Sequence, residues 1–436
     1  MITKKWAATG MSLVMAASLT ACSTAPTSNS GTGSGQTATT EGGKEVIELK
    51  MGQFGSTGYE KLAEEYMKDH PNVKIQISTS DFNDHHNNLF TAISAGSGAP
   101  DIAMVEVGFI EKYRGAQDRF VNLYEMGAKD LQSNYLDWKW SVGESADHSF
   151  LFGLPTDIGP TVMYYRTDIF EAAGLPSDPE KVAEQIKTWD DFANAARTIK
   201  EKTGKPMTDN VELIYNALRD QAPEMYFDRA NNLIVEKNPA MKKAYDYTAK
   251  LIQDGVLGNL ALWTPEWGAA MADGGYATLL GASWMQGNIK GNAPDAKGKW
   301  AITQMPEGAG NWGGSYLVIT KESKHPKEAY EFIKWITSPD NQYKSFLDQG
   351  LFPSATAVYD ESKFKDYTDE YFGGQHTAQI MSEAAKKVKN VYYGENFSIV
   401  QGEILKALQN VQSKKSDPEQ EWSEAIARVK QQLERK

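Results

Sequence analysis

Between residues 46 and 106 the apolar pattern switches repeatedly between a period of two and a period of 3.6. "EVIELKMGQF" alternates and is rich in β-branched residues, which predicts a strand broken by Gly52 and Gly55. Tyr59, Leu62, Ala63, Tyr66 and Met67 then share one helical face, and His70-Pro71-Asn72 stops that helix. Val73, Ile75 and Ile77 alternate again. Leu89, Phe90 and Ile93 mark a second helix, closed by Gly96-Ser97-Gly98, and "PDIAMV" is a short buried strand. Two helices between three strands predict an α/β domain on a largely parallel sheet. The alternation returns in "TVMYYR", "ATLLGASW" and "SYLVIT" as strands. "TWDDFANAARTIK" is a helix capped by Thr188, and "HPKEAYEFIKWIT" is a helix with Pro326 in its first turn and Pro339 past its end. From Asp417, with Pro418 in the first turn, Trp422, Ile426, Val429 and Leu433 form the apolar face of a last helix.

Ligands of open α/β sheets sit off the carboxyl ends of the strands. The informative loops are therefore 53–57, 80–84, 106–109, 157–160 and 284–288. They hold Gln53, Phe54, Asp81, Glu106, Asp157 and Trp284.

Several chemistries are excluded or disfavoured. The formal charge of −12 argues against nucleic acid as partner, since phosphate binding needs a basic face. A single cysteine, Cys22, rules out an intrachain disulfide and a cysteine-rich metal site. No G-x-S-x-G, H-E-x-x-H or G-x-x-x-x-G-K-[ST] occurs. Gly308 to Gly313 fits G-x-G-x-x-G, but a strand pattern follows instead of the helix that would meet a pyrophosphate. His85-His86 lacks further ligands at metal spacing and reads as solvated residues at a helix start. No catalytic residue, metal or cofactor is expected. Paired carboxylates for glycoside hydrolysis are set by distance in space, which spacing along a chain does not give.

Lys4 and Lys5, the apolar stretch from Trp6 to Ala17 and the small residues after it have the layout of a secretory signal. Leu19-Thr20-Ala21-Cys22 resembles the lipobox of bacterial lipoproteins. The resemblance implies cleavage after residue 21 and a diacylglyceryl thioether on Cys22, hence a lipid-anchored protein on the extracytoplasmic side of the cell membrane. Residues 22–43 would be the lipidated cysteine and a Ser/Thr/Gly-rich flexible tether.

The body also carries a resemblance. "NLFTAISAGSGAPDIAMVE", "GLPTDIGPTVMYYRTDIFEAAGLP" with "KTWDDF", "MADGGYATLLGASW", "GGSYLVITKESKHPKEAYEFIKWITSPDNQ" and "GLFPS" occur in the order seen in the extracellular solute-binding proteins of sugar-importing ABC transporters. "TGKPMTDN" and "YFDRANNLIV" are similar to the branch that binds arabinose-containing oligosaccharides. The resemblance implies a two-lobed, type II periplasmic-binding-protein-like α/β fold with the ligand cleft between lobes. The chain would cross between lobes near 156–160, 304–308 and 349–354, giving a first lobe of 44–156 plus 308–348 and a second of 159–304 plus 352–436. It implies a monomer that binds an oligosaccharide, hands it to separate permease subunits and breaks no bond. Trp284 falls where the family places a stacking tryptophan. Trp312, Trp263 (with Glu266 and Trp267) and Tyr392 (with Tyr393 and Phe397) are further candidates beside the loop residues above. Where the maltose-binding members have a tryptophan and a charged pair after "PDI", this chain has Val105, Gly108 and Phe109, which argues against maltose. The alternatives are a surface carbohydrate-active enzyme and a binding protein for a non-sugar solute.

Overall fold

The computed structural model describes residues 46–389 and 392–435. The signal segment, Cys22 and the tether lie outside the described residues. Strand β1 (Ile47–Phe54) pairs in parallel with β2 (Val73–Ser80) along its length and with β3 (Ile102–Glu106) at Met51 and Gly52. Helices Tyr59–Asp69 and Phe82–Ala95 form the crossovers. Gly52 does not break β1. A Cβ there would come within 3.3 Å of the His85 ring, so this glycine makes room for a side chain from the next layer. The strand ends at Gly55, whose φ of 65° lies in the left-handed region.

The later strands are β4 (Gly153–Pro155), β5 (Asp157–Ile158), β6 (Thr161–Arg166), β7 (Thr278–Ala282), β8 (Trp300–Thr303), β9 (Ser315–Ile319) and β10 (Phe352–Pro353). They form one sheet of order β2-β1-β3-β9-β4, a second of order β7-β6-β8, and a ribbon of β10 with β5. Parallel pairing between strands is confined to β1, β2 and β3; elsewhere among the described residues Thr208 makes isolated parallel bridges to Leu257 and Thr278. Strand β9 is antiparallel to β3 and β4, and the second sheet is antiparallel throughout. The expectation of a largely parallel sheet thus holds only for the first three strands. Strand β9 arrives from the other sheet, not from a crossover helix, so nothing requires it to run parallel.

Every residue of β6 is buried, because both faces of its sheet are covered. Met163 and Tyr165 enter one core together with Ala103, Val105 and Val318; Val162 and Tyr164 enter the other with Ile102, Met104, Leu317 and Ile319. Helix Trp189–Thr203 starts in a capping box between Thr188 and Asp191. Pro339 does more than follow a helix: it opens a further one, Pro339–Gln349. The last helix, Pro418–Leu433, is capped by Asp417 and packs on helix Phe397–Lys414. Among the described residues no helix is long and apolar enough to cross a membrane.

The chain passes between the two main sheets at three neighbouring places. Strands β5 and β10 lie side by side, with Ile158 opposite Phe352 and Asp157 opposite Pro353. Pro160 bridges Asn311, and the Thr161 N–H donates to the Gly310 carbonyl at 3.0 Å. Gln221 holds the Pro306 and Gly308 carbonyls at 2.8 and 3.0 Å, and the Glu307 N–H donates to the Lys187 carbonyl, all on the side of the second sheet.

Candidate functional site

Because β1, β2 and β3 are parallel, their carboxyl ends share one edge of the first sheet. Phe54 ends β1, Phe82 and Phe109 follow β2 and β3, and the three form a ring cluster. Phe54 meets Phe82 edge-on at 5.0 Å, Phe82 meets Phe109 at 5.6 Å, and His86 stacks on Phe109 at 3.9 Å. Phe82 is 38% exposed, so the cluster offers apolar surface to solvent. His85 and His86 are buried, which corrects their reading as solvated residues. The His85 Nε2–H donates to the Met104 carbonyl at 2.7 Å. For His86, Nδ1–H donates to the Phe82 carbonyl at 2.8 Å and Nε2 accepts the Glu106 N–H at 3.1 Å, which sets the tautomer. Burial pulls the His86 imidazole down to about 3, with neighbouring His85 and Lys112 adding to the effect.

Glu106 ends β3, and its Oε2 accepts the Gly108 N–H at 2.7 Å. Asp157, in β5, accepts the Thr156 hydroxyl at 2.6 Å and the Ser315 N–H at 3.0 Å. The two carboxylates share a lysine that the sequence did not single out. Lys139 lies on the short helix Asp137–Val142, between Trp138 and Trp140. Its side chain is fully buried, its Nζ sits 4.0 Å from the centre of the Tyr316 ring, and it has no hydrogen-bond partner. Burial pushes Glu106 up to about 7, Gly108 and Lys139 opposing and Asp157 adding. Burial likewise raises Asp157, against the pull of Lys139. Burial lowers Lys139 to about 8, opposed by both acids. These three groups form an electrostatic unit at the passage between sheets.

The second sheet contributes tryptophans. Trp284 follows β7 and precedes helix Met285–Asn292, and its Nε1–H donates to the Trp312 carbonyl at 3.0 Å. The two rings meet at 4.9 Å and 69°. Trp263 lies 5.9 Å from Trp284 and 6.3 Å from Trp312. It is 55% exposed and has a φ of 67°, a left-handed conformation that a bulky residue rarely adopts. The Trp312 N–H donates to the Gly159 carbonyl, and a Cβ on Gly159 would stand 1.8 Å from the Trp312 carbonyl oxygen. Only glycine permits this approach. Residues 311–316 connect the tryptophans to the charged unit, since Asn311 accepts the Gly159 N–H and Ser315 donates to Asp157.

The structure thus brings together Trp263, Trp284 and Trp312 as one group, and Glu106 with Asp157 as another. Other candidates have different surroundings. The Gln53 amide is consumed internally, donating to Glu60 at 2.6 Å and Thr79 at 3.0 Å and accepting the Thr57 hydroxyl. Asp81 is exposed and caps helix Phe82–Ala95 through the Asn83 N–H. Tyr392 is half-buried, next to the undescribed residues 390 and 391, whereas Tyr393 is buried and its hydroxyl donates to the Asn311 carbonyl at 3.3 Å. Trp267 is buried beneath Trp263. Indole faces can stack on the C–H faces of a sugar ring, and carboxylates make strong hydrogen bonds to its hydroxyls. Among the described residues no group of three or more His, Cys, Asp or Glu is placed to hold a metal ion.

Residues 52–343 match the family model described as bacterial extracellular solute-binding protein. The arabinooligosaccharide-binding protein of Bacillus subtilis (strain 168) is 27% identical over 394 residues, covering 86% of this chain and 89% of the relative. A crystal structure of an extracellular solute-binding protein of family 1 superimposes with a TM-score of 0.81 at 32% identity, covering 88% of this chain and 99% of that one. An ABC-transporter-associated binding protein from B. animalis subsp. lactis Bl-04, in complex with β-1,6-galactobiose, superimposes with a TM-score of 0.74 at 25% identity, covering 89% and 97%.

Proposed function

Because the chain belongs to the bacterial extracellular solute-binding proteins, we propose that it captures a neutral oligosaccharide for an ABC importer, held at the outer face of the cell membrane by lipid on Cys22. The observation that carries the sugar reading is the tryptophan group at the passage between sheets, with Trp263 exposed beside Trp284 and Trp312. A solvent-facing indole in a left-handed conformation is a poor core residue and a good stacking surface. Glu106 and Asp157 accept ring hydroxyls, and Lys139 opposes the burial that raises both carboxyls. Trp263, Trp284 and Trp312 stack sugar rings, and Phe54 and Phe82 face them from the other lobe. Gln53, Asp81 and Tyr392 shape the rim without direct contact. The first lobe comprises residues 46–156 and 313–348 and the second, among the described residues, 161–309, 355–389 and 392–435, with hinges at 157–160, 310–312 and 349–354. The β5–β10 ribbon and the Pro160–Asn311 bridge support this division. Closure of the lobes on the sugar gives the permease a shape that differs from the empty one. The names of the similar proteins point to arabino- or galacto-oligosaccharides.

The test is calorimetric titration with arabinotriose, β-1,6-galactobiose, a short peptide and a polyamine, together with chromatography of the sugars after long incubation. Saturable binding of a sugar without product release is expected. Binding of a non-sugar alone, or sustained release of smaller sugars, overturns the proposal.

A further inference from the structure

The stretch "TGKPMTDN" has no part in the site described so far, yet it lies under the exposed Trp263. Residues 257–260 run along residues 208–210. The Gly258 N–H donates to the Thr208 carbonyl at 2.7 Å, the Leu260 N–H to the Asp209 carbonyl at 3.0 Å, and the Asn210 side-chain amide to the Leu260 carbonyl at 2.5 Å. A Cβ on Gly258 would stand 2.7 Å from the Asp209 carbonyl oxygen, so glycine is what lets the two backbones lie this close. On the far side of Trp263, Thr264 caps helix Pro265–Asp273 by accepting the Trp267 N–H at 3.3 Å. The Trp267 ring supports Trp263 at 5.0 Å and 65°, and the Trp267 indole N–H donates to the Asp209 carboxylate.

We propose that Asp209 is a positioning residue for ligand binding, fixing the stacking face of Trp263 through Trp267 and through the loop that its own backbone anchors. Two facts favour this over a packing role. Asp209 is fully buried, its Oδ1 has no partner, and burial pushes its carboxyl up to about 7, so the site retains an unfavourable group. What that group holds is the exposed, left-handed Trp263, a conformation that must be imposed from outside the residue. An apolar side chain at 209 could not accept the indole N–H.

The inference rests on the sugar-binding reading, and its test separates the two. Dissociation constants for arabinotriose and β-1,6-galactobiose are measured with wild type, Asp209→Ala, Asp209→Asn, Trp263→Ala and Asp209→Ala/Trp263→Ala. Trp263→Ala should weaken binding at least tenfold and Asp209→Ala five- to tenfold. Asp209→Asn keeps an acceptor for the indole and should stay within twofold of wild type. The double variant should bind no more weakly than Trp263→Ala alone, although its melting temperature is lower. Trp267→Phe, which removes only the indole N–H and keeps a ring, should weaken binding threefold or more and serves where Asp209→Ala does not fold. An Asp209→Ala loss that persists undiminished in the Trp263→Ala background, or unchanged affinity in both Asp209→Ala and Trp267→Phe, overturns the inference. If wild type binds neither sugar, the sugar reading fails, and hydrogen exchange decides the anchor: the Trp267 indole N–H should exchange faster in Asp209→Ala than in Asp209→Asn, and equal rates overturn it.

Discussion

Acidification should weaken this protein through one identifiable residue. His86 is neutral in the fold, with its Nε2 lone pair accepting the Glu106 N–H and its ring stacked on Phe109. Protonation would set an N–H against an N–H and place a charge under an aromatic cluster near Lys112, with His85 at 5.1 Å. Burial therefore lowers the folded pKa to about 3 from an ordinary 6.5. A histidine whose pKa is lower in the folded state binds fewer protons there than when unfolded. Its stability contribution is complete above the unfolded value and erodes as pH falls below it, until the folded value is reached. Linkage with these two values gives a loss of about 2 kcal/mol between about pH 7.5 and about pH 5 from His86 alone. His85, also lowered by burial, adds in the same direction.

Urea unfolding at a series of pH values, for wild type and His86→Gln, isolates this contribution. Carboxylates common to both chains cancel in the difference. The glutamine side chain can accept the Glu106 N–H but does not titrate, so the difference between the two chains should shrink by about 2 kcal/mol as pH falls to about 5. Parallel curves would refute the argument, because they would mean that His86 carries the same proton in both states. The ligand assay should follow the same trend, since the Glu106 backbone ends the strand that presents its carboxylate.

Three other outcomes follow from the site. Trp284→Ala removes a ring and the bond to the Trp312 carbonyl, and should weaken sugar binding about ten- to hundredfold while the melting temperature changes little, by titration and calorimetry. Gly159→Ala forces a Cβ to within 1.8 Å of the Trp312 carbonyl oxygen. It should cost about 3 kcal/mol or more in urea unfolding, and a loss below about 1 kcal/mol would show that the two crossing strands are not held this tightly. Cys22→Ser should move the protein from the membrane fraction to the medium or periplasm with unchanged affinity, and continued membrane retention would exclude the lipid anchor.

How much of this the sequence revealed depended on the range of the interaction. Periodicity located β1, β2 and β3, because each strand buries its side chains within one local pattern, Thr188 capped its helix where its spacing indicated, and the last helix began after Asp417 with Pro418 in its first turn. The direction of β9 was not legible, since it depends on where the chain re-enters a sheet formed about 200 residues earlier. Gly52 looked like a breaker because a glycine reads as a backbone signal, whereas here it answers to His85 from the neighbouring helix. The same limit explains the site. Trp284 stood out by its place after a strand and by its surroundings. Lys139 matters only because Glu106 and Asp157, distant in sequence, fold around it, and Asp209 only because Trp267 closes onto it. Buried charges of this kind leave no periodic trace: each is one polar residue in an apolar neighbourhood, indistinguishable along the chain from a surface residue. Such unpaired burial is costly, and that cost makes the residue conspicuous once coordinates exist. The parts of the site that sequence patterning hides are therefore the ones that burial and missing partners expose, and substitutions at Lys139 and Asp209 test the functional reading more sharply than those at the rim.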